Sequence, residues 1–103
     1  AGDLTINSDA RLKSNIISLG STLSKILQLD GKKYNRKNNQ EINYGLIAQE
    51  VEKLFPELIK KSENKDKTLS VFYQGFVPIL INAIKEQQIQ INELKKKFKN
   101  LKK

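Results

Sequence analysis

The feature that most constrains this chain is an apolar stripe at its C-terminal end that repeats without a slip. Val77, Leu80, Ile84, Gln87, Ile91, Leu94, Phe98 and Leu101 are spaced three, four, three, four, three, four and three residues apart. A 3.5-residue repeat keeps one seam of a helix facing a partner helix in a left-handed coiled coil. Val77, Ile84, Ile91 and Phe98 occupy heptad position a, and Leu80, Gln87, Leu94 and Leu101 occupy position d. So narrow a stripe stays wet unless the chain folds back on it or another copy covers it. A second copy of the same helix is the simplest cover, so an oligomer carrying the preceding residues as a small head is expected. Ile at a with Leu at d leans toward two strands, a preference that Gln87 and Phe98 blur.

Composition fits that picture. At 103 residues the chain is one domain at most, and 38% hydrophobic content is low for a compact globule of that size. The absence of Cys excludes disulfides and thiolate metal sites, and the absence of His removes the usual general base at neutral pH. Met is also absent, which reads as a piece of a longer polypeptide. No run approaches the roughly 20 apolar residues of a membrane span, and no signal peptide is visible. Of the net charge of +8, six lie in Lys95, Lys96, Lys97, Lys99, Lys102 and Lys103, where no acid intervenes. Without interleaved Arg, this tail reads as a solvated helix end favoured by the C-terminal dipole, in preference to a nucleic-acid site.

Taken in order, Ala1 to Asn7 alternates weakly through Leu4 and Ile6 and suits the end of a strand from a preceding stalk. Ser8 or Asp9 is placed to cap a short helix. Leu19, Leu23, Ile26 and Leu27 form one helical face within 19–29, with Ser21 as the expected cap and Asp30-Gly31 as the stop. Lys32 to Arg36 and Ile42 to Ile47 read as two short strands joined by a polar loop. Ala48, Val51, Leu54 and Phe55 return to helical spacing, and Pro56 ends that helix. Leu58-Ile59 and Leu69 to Tyr73 suggest a second hairpin whose charged tip is Lys60 to Thr68. Gly75 and Pro78 introduce the long helix.

The expected fold is therefore α+β, mainly α: a head of short helices and β-hairpins, then a long C-terminal helix. Its parts are residues 1–7 (end of a stalk), 8–75 (head) and 76–103 (helix). The expected core is Ile16, Leu19, Leu23, Ile26, Leu27, Tyr34, Leu46, Val51, Leu54, Phe55, Leu58, Leu69, Val71 and Phe76. Ile81 and Ala83, flanking the seam, suggest that the head packs onto the top of the helix.

The only pair with catalytic potential is Ser8 with Lys13. A serine hydroxyl is a weak nucleophile until a base takes its proton, and a lysine serves only when burial or nearby positive charge makes its neutral form accessible. Arg11 could supply such a charge. Residues five apart lie about 140° apart around a helix, so the pair meets only if the chain bends or if Lys13 comes from another subunit.

These residues also carry a resemblance. Ser8-Asp9-Ala10-Arg11-Leu12-Lys13-Ser14-Asn15-Ile16 resembles the opening motif of the intramolecular chaperone auto-processing domain. That domain ends many phage tailspikes, tail fibres, neck appendages and endosialidases, and a version occurs in myelin regulatory factors. Tyr34, Gly45-Leu46-Ile47-Ala48-Gln49-Glu50-Val51, Phe55-Pro56-Glu57-Leu58 and Val71-x-Tyr73 follow in the family's order, then the long helix, so the likeness covers Ser8 to Leu94.

The resemblance implies a homotrimer that holds three chains of an upstream β-rich stalk in register and then cuts itself off at the Asn7–Ser8 bond. By the same likeness Ser8 is the nucleophile, Lys13 the general base and Asp9 an orienting residue, and trimerisation aligns the dyad. Asn7 still precedes Ser8 here, so either the bond is uncut or cutting needs upstream residues. No cofactor or metal is expected, and a role for a nucleotide in release is not legible in the sequence. The site of action would be the host cytoplasm during virion assembly, with the module released from the mature fibre. The rival readings are a plain coiled-coil trimerisation module, in which Ser8-Asp9 is only a cap, and a lysine-tail nucleic-acid binder.

Overall fold

A computed structural model describes residues 5–102. The strand expected in Ala1 to Asn7 rests partly on Leu4, outside that range; Thr5 to Asn7 form no strand. The chain runs α1 (Leu23–Ile26), β1 (Lys32–Asn35), β2 (Ile42–Gly45), α2 (Ala48–Leu54), β3 (Ile59–Lys61), β4 (Leu69–Val71) and α3 (Phe76–Leu101). Short 3-10 turns occupy Ala10–Leu12, Pro56–Leu58 and Tyr73–Gly75. The head is α+β, and its two sheets are separate antiparallel hairpins, β1–β2 and β3–β4.

Register follows the alternation in the sequence. Lys32 pairs with Gly45 and Asn35 with Ile42, which turns Tyr34 toward partial burial while Lys33 and Tyr44 face solvent. Ile59 pairs with Val71 and Lys61 with Leu69. The second hairpin starts one residue later than the sequence suggests, because Leu58 closes the 3-10 turn that Pro56 opens. It also ends sooner. The Phe72 amide still donates to the Leu58 carbonyl (2.8 Å), but Tyr73 turns out of the ladder into its own 3-10 turn.

The core lies between α2, the second hairpin and the first turns of α3. Val51, Phe55, Leu58, Phe76 and Ile79 form it, with Ile26, Leu29, Leu46, Leu54, Ile59 and Val71 packed around them. Val51 is completely buried, and Phe55 meets Phe76 edge-on with centroids 5.6 Å apart. Leu23 and Ala83 are buried beside them, Ala83 as expected. Ile79, outside the expected set, is buried because its side of α3 faces the head.

Several expectations need correction. The helix expected over 19–29 shrinks to Leu23–Ile26, and its cap position is Thr22, not Ser21. Gly20 adopts a φ of 79°, a left-handed conformation that ends helical continuity on its N-terminal side. Ile16, Leu19 and Leu27 consequently stand exposed. Ile81 does not pack under the head and is 52% exposed.

The long helix is where sequence and structure agree best. Its 26 residues span Phe76–Leu101, and Pro78 falls in the first turn, where no intrahelical N–H bond is lost. The head covers the flank carrying Phe76, Ile79 and Ala83. The a and d stripe, Val77, Leu80, Ile84, Gln87, Ile91, Leu94, Phe98 and Leu101, is left exposed along its full length. The Cα radius of gyration is 18.7 Å, against about 13 Å for a compact globule of this length.

Candidate functional site

The candidate site sits at the leading end of the head, on a single turn. Asp9 takes extended backbone angles and caps the 3-10 turn Ala10–Leu12 by accepting from the Arg11 amide (2.9 Å). Its carboxylate also accepts from the Arg11 guanidinium, at 2.7 Å from Nη2 to Oδ2 and 3.1 Å from Nε to Oδ1. The Leu12 amide donates to the Asp9 carbonyl (3.0 Å) and the Lys13 amide to the Ala10 carbonyl (3.1 Å). Lys13 itself is extended again. One tight turn followed by extended backbone is the bend that five-residue spacing requires.

Through that bend the Lys13 ammonium donates to Ser8 Oγ at 2.7 Å, within one chain. Of the two routes that the five-residue spacing leaves open, the chain takes the bend, so the pair meets without a residue from another copy. Arg11 does not serve as a free positive charge beside Lys13, since its guanidinium is engaged by Asp9. That hydrogen-bonded pairing holds the Asp9 carboxyl below the ordinary aspartate range and pushes the Arg11 guanidinium further up. Ser8, Asp9, Arg11 and Lys13 are all exposed in the single chain, with water at hand.

Downstream, Asn15 adopts a φ of 53°, a left-handed conformation that Asn tolerates better than most residues. It keeps 14–20 from winding into a helix. The arm then docks on α3. The Asn82 side-chain amide donates to the Gly20 carbonyl (2.9 Å), and the Thr22 hydroxyl donates to the Ile79 carbonyl (2.7 Å). Glu86 accepts from the amides of Thr22 (2.5 Å) and Leu23 (3.1 Å), capping α1 from another element. Sequence reasoning missed Asn82, Glu86 and Thr22 because residues more than 55 positions apart share no local pattern.

The second motif does structural work. A Cβ on Gly45 would meet the Tyr73 hydroxyl at 2.8 Å, and that hydroxyl accepts from the Leu46 amide (2.9 Å). Ile47 occupies the N-cap of α2, and Val51 enters the core. The motif thus locks the first hairpin to α2 and to the approach of α3. Among the described residues no three His, Cys, Asp or Glu side chains gather as metal ligands. No helix there is long and apolar enough to cross a membrane.

A serine and a lysine in contact at the front of a small α+β head, with a long helix exposing an apolar heptad stripe, define a head-and-helix module with a hydrogen-bonded Ser–Lys pair at its leading end. Residues 8–60 match a peptidase family described as the chaperone of endosialidase, and the chain belongs to that family. The resemblance carried by Ser8 to Lys13 and Gly45 to Val51 is thereby borne out. The chain is also 37% identical, over 97% of its length, to long tail fiber protein Gp37 of Salmonella phage S16. It is 30% identical over 95% to Gp37 of Enterobacteria phage K3, and 35% identical over 93% to Gp37 of Enterobacteria phage Ox2. It spans 15%, 8% and 41% of those three proteins, respectively.

Proposed function

We propose that this chain is the assembly chaperone of a phage tail-fibre polypeptide. Three copies associate through the α3 seam, hold the upstream β-rich stalk in register and then release themselves at Asn7–Ser8. The observation that carries the cleavage reading is the 2.7 Å contact between Lys13 Nζ and Ser8 Oγ, on the residue that follows the bond to be cut.

In the reaction the neutral Lys13 amine takes the proton from Ser8 Oγ, and the oxygen attacks the Asn7 carbonyl carbon. Oγ, Cβ, Cα and N of Ser8 close a five-membered ring with that carbon, so nucleophile and target are already tethered. The tetrahedral centre collapses by breaking the C–N bond, and the Lys13 ammonium returns its proton to the departing Ser8 nitrogen. An ester then joins Asn7 to Ser8 Oγ. Water hydrolyses it to the Asn7 carboxylate and the Ser8 hydroxyl, and the exposure of the turn gives water access. In its charged form Lys13 donates to Oγ and cannot act as base. The step therefore runs through the neutral amine. Asp9, with Arg11, shapes the turn and has no proton-transfer step. No cofactor takes part, and the work is placed in the host cytoplasm during virion assembly.

Assembly is supported by surface. The single chain exposes 9413 Å², where a compact monomer of this mass exposes about 5,900 Å². The excess is of the order that obligate oligomers cover. The number three comes from the family likeness.

The test uses the chain carried on its upstream segment. Intact mass should show a product beginning at Ser8, and Ser8→Ala and Lys13→Ala should each remain whole. Equal processing in both variants would overturn the dyad and leave the chaperone role standing.

A further inference from the structure

We infer that Ile81 of one copy seats in an apolar groove on the head of the next, so that the heads interlock as the helices pair. This rests on the proposed parallel assembly through α3, and it names the contact by which heads and helices become one unit.

The groove is lined by Ile26, Leu29, Leu46, Tyr73, Phe76 and Leu80. Phe76 is buried at its floor, while Leu80, a d residue of the seam, stands 44% exposed at its edge. The Tyr73 hydroxyl is already engaged by the Leu46 amide, so a water molecule in the groove finds few partners and an apolar occupant is favoured. The groove is therefore continuous with the seam, and whatever pairs along the seam approaches it.

Heptad geometry identifies the occupant. With Val77 at position a, Phe76 falls at g and Ile81 at e. In a parallel coiled coil the g flank of one helix faces the e flank of its neighbour. A g residue there lies opposite the e residue five positions further along the partner. Phe76 thus lies opposite Ile81 of the next copy. Within one chain the two are about 140° apart around α3, so Ile81 cannot turn into its own groove. Its apolar character is also unlike that of the other residues on its flank. Gln88, Lys95 and Lys102 continue position e with polar groups, so Ile81 is the apolar exception, at the level of the groove. In a ring of three, each copy gives one isoleucine and receives one, which closes the assembly.

The absence of cysteine makes a clean test possible. Differently tagged chains carrying Leu46→Cys and Ile81→Cys are mixed, unfolded, refolded together and oxidised. A disulfide joining the two tags is expected, and neither variant alone should cross-link, because only the mixture brings suitable Cβ atoms together. Leu29→Cys replaces Leu46→Cys should the latter fold poorly. In sedimentation equilibrium, Ile81→Asp should raise the concentration at which the oligomer half-dissociates by about tenfold or more. Ile89→Asp, at the outward f position, should leave it unchanged. An oligomer that yields no mixed disulfide with either groove cysteine overturns the interlock and leaves the proposed assembly intact. A chain that sediments as a monomer at all concentrations overturns both.

Discussion

Glu86 offers the sharpest test of how the arm that carries Ser8 and Lys13 is tied to the long helix. Its carboxylate accepts from the amides of Thr22 and Leu23, and Thr22 is 3% exposed. Replacing it by alanine leaves two N–H groups without partners, one of them where water does not easily reach. Losing a helix cap costs about 0.5–2 kcal/mol, and stranding a buried donor costs about 1–3 kcal/mol. The two describe overlapping losses, so Glu86→Ala should weaken the docking of residues 20–23 by about 2 kcal/mol. That corresponds to a factor of roughly 30 in the opening equilibrium. Amide hydrogen exchange reads it directly. The Thr22 and Leu23 amides should exchange about 30-fold faster, while those of α2 keep their rates. Glu86→Gln retains a carbonyl acceptor on the same stem and should recover most of the loss. Protein concentration must be held fixed, because association also protects amides. If Glu86→Ala leaves both amides as protected as before, the cap is not what holds the arm, and Asn82 with the Thr22 hydroxyl must carry it.

Two further outcomes can be checked. Gly75 has ordinary helical backbone angles, so its role is one of space. A Cβ there would press into the buried Leu58 Cδ2 and onto Phe72. Gly75→Ala should therefore lower stability by about 1–3 kcal/mol, seen as a lower denaturant midpoint with an unchanged slope. For Asp9 the folded carboxyl titrates below the ordinary aspartate range, held down first by the Arg11 side chain and then by its amide. Stabilisation of the turn is then fully present above the ordinary aspartate pKa and is lost only as pH falls through the lowered folded value. The Arg11 amide resonance should keep its position through the ordinary carboxylate range and move below it. Asp9→Asn should abolish that acid transition.

Much of the architecture was legible in the chain itself, because the signals are local. The 3.5-residue stripe specified α3 and the exposure of its seam, period-two alternation placed both hairpins, and Pro56 closed α2. Asp9 was readable as a cap because a cap acts over two or three residues. The shortened α1 was less legible: four apolar residues at helical spacing promised a longer helix, and periodicity does not register the left-handed turn at Gly20. That spacing predicts Leu19 and Leu27 inside, and both lie outside.

What the sequence determined by itself is the kind of object this is: a head on a long helix with an uncovered apolar stripe, opened by a motif that its family shares. Tertiary structure decided where the Ser8–Lys13 contact and the fastenings fall. Five-residue spacing argued against contact between Ser8 and Lys13 in a regular helix, and a single capped turn followed by extended backbone brought them to 2.7 Å. Glu86 and Thr22, 64 residues apart, met because α3 folds back along the head. The flank of α3 that the head covers follows from the same packing, which leaves Ile81 exposed. Spacing along a chain governs only what local backbone geometry repeats. Contacts between distant residues depend on the whole fold.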